Sequence, residues 1–416
     1  MFKTHIIEAQ TVSEIKNKVK ETLVKHYVDE LPTDKSAKLI IKPNLNSNMN
    51  ALTGNTTDLR LIAAVVEFLK DLGYSHITIA EGTNSGFYRN KINIIERLKV
   101  DKLAAYYGIY IKDLNYSEEV FIDFENNQKA GVAKECIEAE AIINMPKLKT
   151  HFETGMSLCL KNLIGCLVGQ ANKKKTHSAL AYNILNINKV IKPKIHVVDA
   201  IISMEGLGPT RGTPVKTGMV FIGKDPYILD LIGARLAGVD YHNVTTLAIA
   251  EKTGLISNEH LSFIDKMNLP VTFSFKPPKA GPIASFIHSP KRQRYFLAIR
   301  NTAFFNKVCS TESAGKILYL TGLRQDIFLH NEMNCERLSL KKQLCKQCGK
   351  CATYCPTGLN PVDVMPIDMP PAIHKGCLGC LYCYTVCPYE AIEFHGTAGF
   401  FGEQLRQYNN IIKEIA

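Results

Sequence analysis

Eight of the chain's thirteen cysteines fall between Cys345 and Cys387, and their spacing repeats. The first run is Cys345-x2-Cys348-x2-Cys351-x3-Cys355-Pro356, and the second is Cys377-x2-Cys380-x2-Cys383-x3-Cys387-Pro388. Three thiolates separated by two residues each can wrap one inorganic centre on a tight turn, while a fourth, after three more residues, points away from it. Gly349 and Gly379 let backbone N–H groups approach sulfide, and Pro356 and Pro388 end each turn. Ile367, Ile373, Tyr382, Tyr384, Val386 and Ile392 supply apolar shielding that tunes a reduction potential. Structural zinc draws its ligands in pairs to a tetrahedron. A triple with a remote fourth, written twice, therefore predicts two [4Fe-4S] clusters ahead of the alternatives, zinc and disulfides. Of the other cysteines, Cys136, Cys309 and Cys335 are scattered, and Cys159 and Cys166 share a helical face and read as small buried hydrophobes.

Over about 55 residues this module resembles the bacterial two-cluster ferredoxins. The resemblance implies one cluster on Cys345, Cys348, Cys351 and Cys387 and a second on Cys377, Cys380, Cys383 and Cys355. It departs from those typically acidic carriers in charge, because residues 338–396 hold five lysines against four acids.

A second constellation lies in the first half of the chain. Several short apolar runs are followed at once by polar residues, and in a parallel sheet ligands bind beyond the carboxyl ends of the strands. KLIIK leads into Pro43-Asn44, HITIA into Glu81-Gly82-Thr83, and IHVVDAII into Glu205-Gly206. AIIN leads into Met145-Pro146-Lys147-Leu148-Lys149-Thr150-His151. Lys42, Asn44, Lys147 and Lys149 would then share a basic rim suited to a carboxylate or phosphate. His151 is the candidate proton donor. Arg211, in Gly206-Leu-Gly208-Pro-Thr-Arg-Gly212, marks a candidate anion-binding turn. Taken singly, each of these residues reads as an ordinary loop or structural side chain; their shared position carries the functional reading. Lys173-Lys174-Lys175 reads as a solvated loop. Gly218 to Asp225 mimics a phosphate loop, but Asp replaces the required hydroxyl and the interior reads as strand. No flavin or NAD motif is seen.

These residues must be positioned by an alternation of strands and helices. KLIIK, HITIA, YIK, AIIN, IHVVDAII and MVFIG read as strands. Thr56, Thr57 and Asp58 cap a helix through LRLIAAVVEFLKDL, IIERLKVDKLAAYY and residues 155–169 read as helices, and Asp225-Pro226 opens another. The pattern predicts an α/β fold with a largely parallel sheet and flanking helices, plus a small α+β ferredoxin-type domain. The expected organisation is an α/β body over 1–275 and a basic, proline-containing connection over 276–335. The cluster domain follows over 336–396, and a tail over 397–416 could form an amphipathic helix. A short helical stretch near 297–308 and the run LYLTG (318–322) are expected within the connection.

The segments IIKPNL, MPKLKTH, CLKNLIGCLVG and EGLGPTRGTPVKTGMVFIGKDPYILD, in that order, resemble the uncharacterised family catalogued as domain of unknown function 362. The resemblance spans residues 38–240 and implies an iron–sulfur protein with a redox role, without a substrate.

Composition sets the outer bounds. Hydrophobic residues make up 46% and charged residues 21%, which excludes wholesale disorder. No apolar run is long enough to span a membrane. The first residues lack the apolar core of a secretory signal, so a cytoplasmic protein is expected. The net charge of +11 is concentrated in 145–178 and 276–300, and suits anions or an acidic partner. Neither stretch interleaves aromatics, which argues against nucleic acid. The leading expectation is an iron–sulfur oxidoreductase or redox subunit acting on an anionic small molecule. Its partner would be a ferredoxin, a flavodoxin or another oxidoreductase subunit. The alternative is a non-catalytic electron-transfer, docking or assembly protein.

Overall fold

The structure is a computed structural model. It describes residues 2–8, 12–269, 272–278, 302, 311, 313–314, 317–318, 328–365 and 376–416. Most of the 276–335 connection, including nearly all of 297–308 and 318–322, lies outside the described residues, as do Cys309, Ile367 and Ile373.

Nine strands build the main sheet: β1 (Thr4–Glu8), β2 (Leu39–Pro43), β3 (Ile77–Glu81), β4 (Tyr110–Asp113), and, after a separate hairpin of β5 (Glu119–Phe124) and β6 (Gln128–Ala133), β7 (Ala141–Met145), β8 (Lys147–His151), β9 (Gly155–Ser157), β10 (Ile195–Glu205) and β11 (Thr213–Gly223). The order is β1-β11-β10-β7-β2-β3-β4. From β10 to β4 every neighbouring pair is parallel, and β11 and β1 add an antiparallel edge. The fold is thus mixed α/β with a largely parallel central sheet and flanking helices. β2, β7 and β10 are buried along their whole length, as unbroken apolar runs require when both faces are covered.

Alternation sorts the two faces. Leu39, Ile41, Ile143 and Val197 pack with α1 (Val12–Tyr27) and α2 (Leu59–Asp71) in one core. On the other face, Ile40 and Ile142 pack with the β5–β6 hairpin, and Val198 packs with the helix Pro226–Leu236. Both expected caps are present: Asp58 accepts from Arg60 N–H, and Asp225 accepts from Tyr227 and Ile228 N–H.

The cysteine module carries a two-stranded antiparallel sheet, β12 (Asn334–Leu340) with β13 (Ile392–Thr397). The tail is a helix, Phe401–Ile415. Its Tyr408 and Ile412 join the α1–α2 core, together with Tyr354, Leu378, Tyr382 and Val386 from the module. Module and body therefore share one hydrophobic core.

Three local expectations are corrected. Residues 155–169 are not one helix but β9, a helical turn (Cys159–Asn162) and a 3-10 turn (Leu163–Cys166), because this segment folds over a buried polar row instead of an apolar face. The helix through IIERLKVDKLAAYY is broken at Lys99, whose φ of 62° is left-handed. Lys173-Lys174-Lys175 is no loop; it lies in the helix Gly169–Thr176, with Lys173 buried.

Candidate cluster sites and the polar centre of the sheet

In the module, backbone conformation repeats with the cysteine spacing. Gln347 and Gly379, each two residues after the first cysteine of a motif, are left-handed, with φ of 51° and 65°. Gly349 and Leu381, each following the second cysteine, are left-handed at 74° and 59° and open the helices Lys350–Thr353 and Tyr382–Val386. Gly358 and Glu390, each three residues after the fourth cysteine, repeat this at 77° and 51°. Glycine is thus used at different members of the pair in the two motifs. The non-glycine partners accept a conformation that costs them energy, which marks the turns as held in place by their surroundings.

Cys345, Cys348, Cys351 and Cys387 line one pocket, together with Leu340, Val362 and Ile392. Ala391 N–H donates to Cys387 Sγ at 3.3 Å. Burial raises the thiols of Cys351, Cys377 and Cys380, while N–H groups of Ala352, Gly379 and Tyr382 draw them back down. Cys377, Cys380 and Cys383 lie within electrostatic reach of Cys355. Thr357 helps tie that set together, with its hydroxyl 3.4 Å from Cys355 Sγ and donating to Gly376 O at 2.8 Å.

The two sets have different surroundings. Cys348 is exposed, and Lys342 and Lys346 beside it are exposed too. Among the described residues, Lys342, Lys346 and Lys350 form no ion pair, whereas the nearby acids Glu390 and Glu393 are taken by Lys413 and Lys341. Cys380 instead packs against the α1–α2 core of the body.

In the body, the parallel strands do bring their carboxyl-end residues together, but under cover. Lys42, Asn144 and His196 are cross-strand neighbours on β2, β7 and β10, and all are fully buried. Lys42 Nζ donates to Glu81 Oε2 at 3.0 Å, and burial raises the Glu81 carboxyl despite that partner. Gly165 must be glycine here, since a Cβ would fall 1.8 Å from Glu81 Oε1.

Pro146 divides β7 from β8, so that the chain leaves β2 and continues along β10, paired also with β9. The gap is filled by the buried loop 44–58, which carries Asn44, Asn46, Asn48, Asn50 and Asn55. Thr57 Oγ1 donates to Met145 O at 2.7 Å, and Lys149 Nζ donates to Asn44 Oδ1 (2.8 Å), Asn46 Oδ1 (2.6 Å) and Asn55 O (2.7 Å). From Lys149 a chain of amides crosses the sheet. Asn44 Nδ2 donates to Asn162 Oδ1 (2.8 Å), Asn162 Nδ2 to Asn144 Oδ1 (2.7 Å), and Asn144 Nδ2 meets His196 Nδ1 at 3.0 Å. Burial lowers His196 to about 3, so the ring is neutral.

Lys147 Nζ donates to Asp199 Oδ2 at 2.9 Å, and Asp58 N–H donates to the same oxygen at 2.7 Å. Burial and the neighbouring Asp58 charge raise Asp199 against Lys147. Asp58 holds Arg60 in a two-pronged pair, Nε–Oδ1 2.9 Å and Nη2–Oδ2 2.7 Å, and that guanidinium outweighs burial to keep Asp58 low.

Lys42, Asn44, Lys147 and Lys149 are thus brought together in one network, with the charges of Lys42 and Lys147 met by internal carboxylates. His151 ends β8 beside it. Burial, and then Lys161, push its imidazole well below the usual range. Arg211 stands half-buried in the turn between β10 and β11, whose Thr210 carbonyl accepts from Tyr408 Oη at 3.2 Å. Sequence reasoning missed the asparagine loop, Asn144, Asn162, Lys161 and Asp199. The alternate spacing of Asn44, Asn46, Asn48 and Asn50 was the available signal for the first.

No helix among the described residues is long and apolar enough to cross a membrane. A protein of Synechocystis sp. described as thylakoid-associated is 26% identical over 235 residues, covering 52% of this chain and 68% of its own. Among solved structures, the lactate racemase apoprotein of Thermoanaerobacterium thermosaccharolyticum has a TM-score of 0.33 and 12% identity over 53% of each chain. The match spans about half the length of that enzyme and bears on neither reaction nor ligand. Residues 39–235, which contain every residue of the polar network just described, match the family model described as Domain of unknown function (DUF362).

Proposed function

We propose that the chain is an iron–sulfur electron-transfer protein, an oxidoreductase or a redox subunit, that serves an anionic molecule or partner at the body. The observation that carries this is the pair of cysteine tetrads set on left-handed turns that repeat along with them. Cys345, Cys348, Cys351 and Cys387 would hold one [4Fe-4S] cluster, and Cys377, Cys380, Cys383 and Cys355 the other. Bound there, such clusters supply one-electron transfer at a potential set by burial and by N–H bonds to sulfur. The donor set fits. The first tetrad lines one pocket, and the N–H groups of Ala391 and Ala352 bond two of its sulfurs. Among the described residues, no three His, Cys, Asp or Glu side chains converge on a single ion. A triple with a remote fourth, written twice, favours a cube over zinc, which draws its ligands in pairs.

The chain's own residues give the module two distinct ends. Lys342, Lys346 and Lys350, with exposed Leu344 and Tyr389, suit an acidic carrier such as a ferredoxin or flavodoxin. At the other end, Tyr354 and Tyr382 abut Arg60 and the polar network. Counting iron and acid-labile sulfide in the anaerobically purified chain tests the reading. About eight of each supports it, and zinc overturns it.

A second reading, a docking or assembly platform without chemistry of its own, is favoured by the internal partners of Lys42, Lys147 and Lys149. Saturable binding of a small anion to the body separates the two.

A further inference from the structure

The segment that covers the polar row leaves one cation unanswered. Lys161, on the helical turn Cys159–Asn162, is half-buried, and among the described residues its ammonium forms no hydrogen bond or ion pair. A desolvated charge without a partner is unfavourable unless something supplies one. Its ammonium acts on His151, and Lys149 and His177 act on that ring as well, while Glu153 acts on both. His151 comes from the end of β8, Lys149 stands two residues before it, and His177 caps the helix Gly169–Thr176. Glu153, the acid within reach, is engaged by His177 at 3.4 Å; this pairing outweighs burial and holds the carboxyl at about 2.

The tautomer of His151 is set by the backbone. Its Nδ1 accepts from Glu153 N–H at 3.1 Å, which leaves the proton of the neutral ring on Nε2, where it can be donated. Lys149 is already satisfied by three oxygens and contributes field, not contacts.

We infer that Lys161 and His151 form the binding point for a small oxyanion group, a carboxylate or a phosphate, with Lys161 supplying the charge and His151 Nε2–H a second donor. This rests on the proposal that the body serves an anionic molecule and names the residues that hold it, in place of Lys42 and Lys147.

The test is isothermal titration of the full-length, cluster-loaded chain with malonate and, separately, with inorganic phosphate. Saturable binding of malonate alone assigns a carboxylate, and of phosphate alone a phosphate. Lys161→Gln should weaken that binding about ten-fold or more, and Lys161→Arg should restore part of it. Affinity should also fall as pH rises through about 8, because burial, only partly opposed by Glu153, lowers the Lys161 ammonium to that value. His151 stays neutral across that range, and Glu153 stays charged. Absence of binding by the wild-type chain, or unchanged binding by Lys161→Gln at unchanged iron content, overturns the inference. Iron content and cluster reduction measured on the same samples report on the electron-transfer proposal separately.

Discussion

The guanidinium of Arg60 lies 4.3 Å from the centroid of the Tyr354 ring, and this contact joins the body to the cysteine module. Arg60 is fully buried and held from behind by Asp58, whose backbone N–H binds Asp199, which in turn binds Lys147. Tyr354 immediately precedes Cys355. A single connected path of side chains thus runs from the second cysteine tetrad to the polar centre of the sheet.

Arg60→Ala should destabilise the chain by about 3–5 kcal/mol, since it leaves the Asp58 carboxylate buried and unpaired. Arg60→Lys should recover only part of this, because an ammonium cannot reproduce the fork. Urea denaturation of the anaerobic chain measures both; an unchanged midpoint for Arg60→Ala would show that the pair contributes nothing.

The proposed exchange of Cys355 and Cys387 between the two clusters makes an iron-counting prediction. Cys345→Ser and Cys387→Ser should each lose one cluster, about half the iron, and the double variant should lose no more than either alone. Cys345→Ser combined with Cys355→Ser should lose both clusters. Additive loss in the Cys345–Cys387 pair would show that Cys387 serves the other cluster.

Much of the scaffold was legible in the sequence because its signals are local. β2, β3, β7 and β10 announce themselves as β-branched runs, and Asp58 and Asp225 cap the helices they precede. What was not legible depends on distant partners. Lys173 is buried because Gly82 O (2.9 Å), Thr83 O (2.8 Å) and Asn115 Oδ1 (2.5 Å) accept its three protons, and all three come from elsewhere in the fold. The 155–169 segment has helical spacing, yet it must lay Gly165 against Glu81, so it bends. Likewise, Gln347 and Leu381 in left-handed turns cannot be read from residue type, which points only to Gly349 and Gly379.

Lys342, Lys346 and Lys350 predict a salt-sensitive encounter with an acidic carrier. Lys346→Glu with Lys350→Glu should slow reduction by an acidic ferredoxin about ten-fold at low ionic strength. The difference should vanish at high salt, and reduction by dithionite should be unaffected. Stopped-flow absorbance reports all three; equal rates for the variant and the wild type at low salt would place the encounter elsewhere.

Acid stability should carry the signature of His196. Its folded value of about 3 lies below the unfolded 6.5, so the unfolded state binds the proton first. The stability it contributes is present above about pH 6.5 and is lost as pH falls toward 3, at up to about 1.4 kcal/mol per pH unit. Replacing His196 with Gln should remove one proton from the slope of stability against pH in that window. An unchanged slope would mean that the ring is not held neutral.

The central claim, two redox-active [4Fe-4S] clusters in the C-terminal module, is tested most directly by an anaerobic reductive titration followed by electron paramagnetic resonance. The account predicts about eight irons per chain and two signals that appear and disappear reversibly at low potential. Eight irons that resist reduction, or a chain purified with zinc in these cysteines, would contradict it.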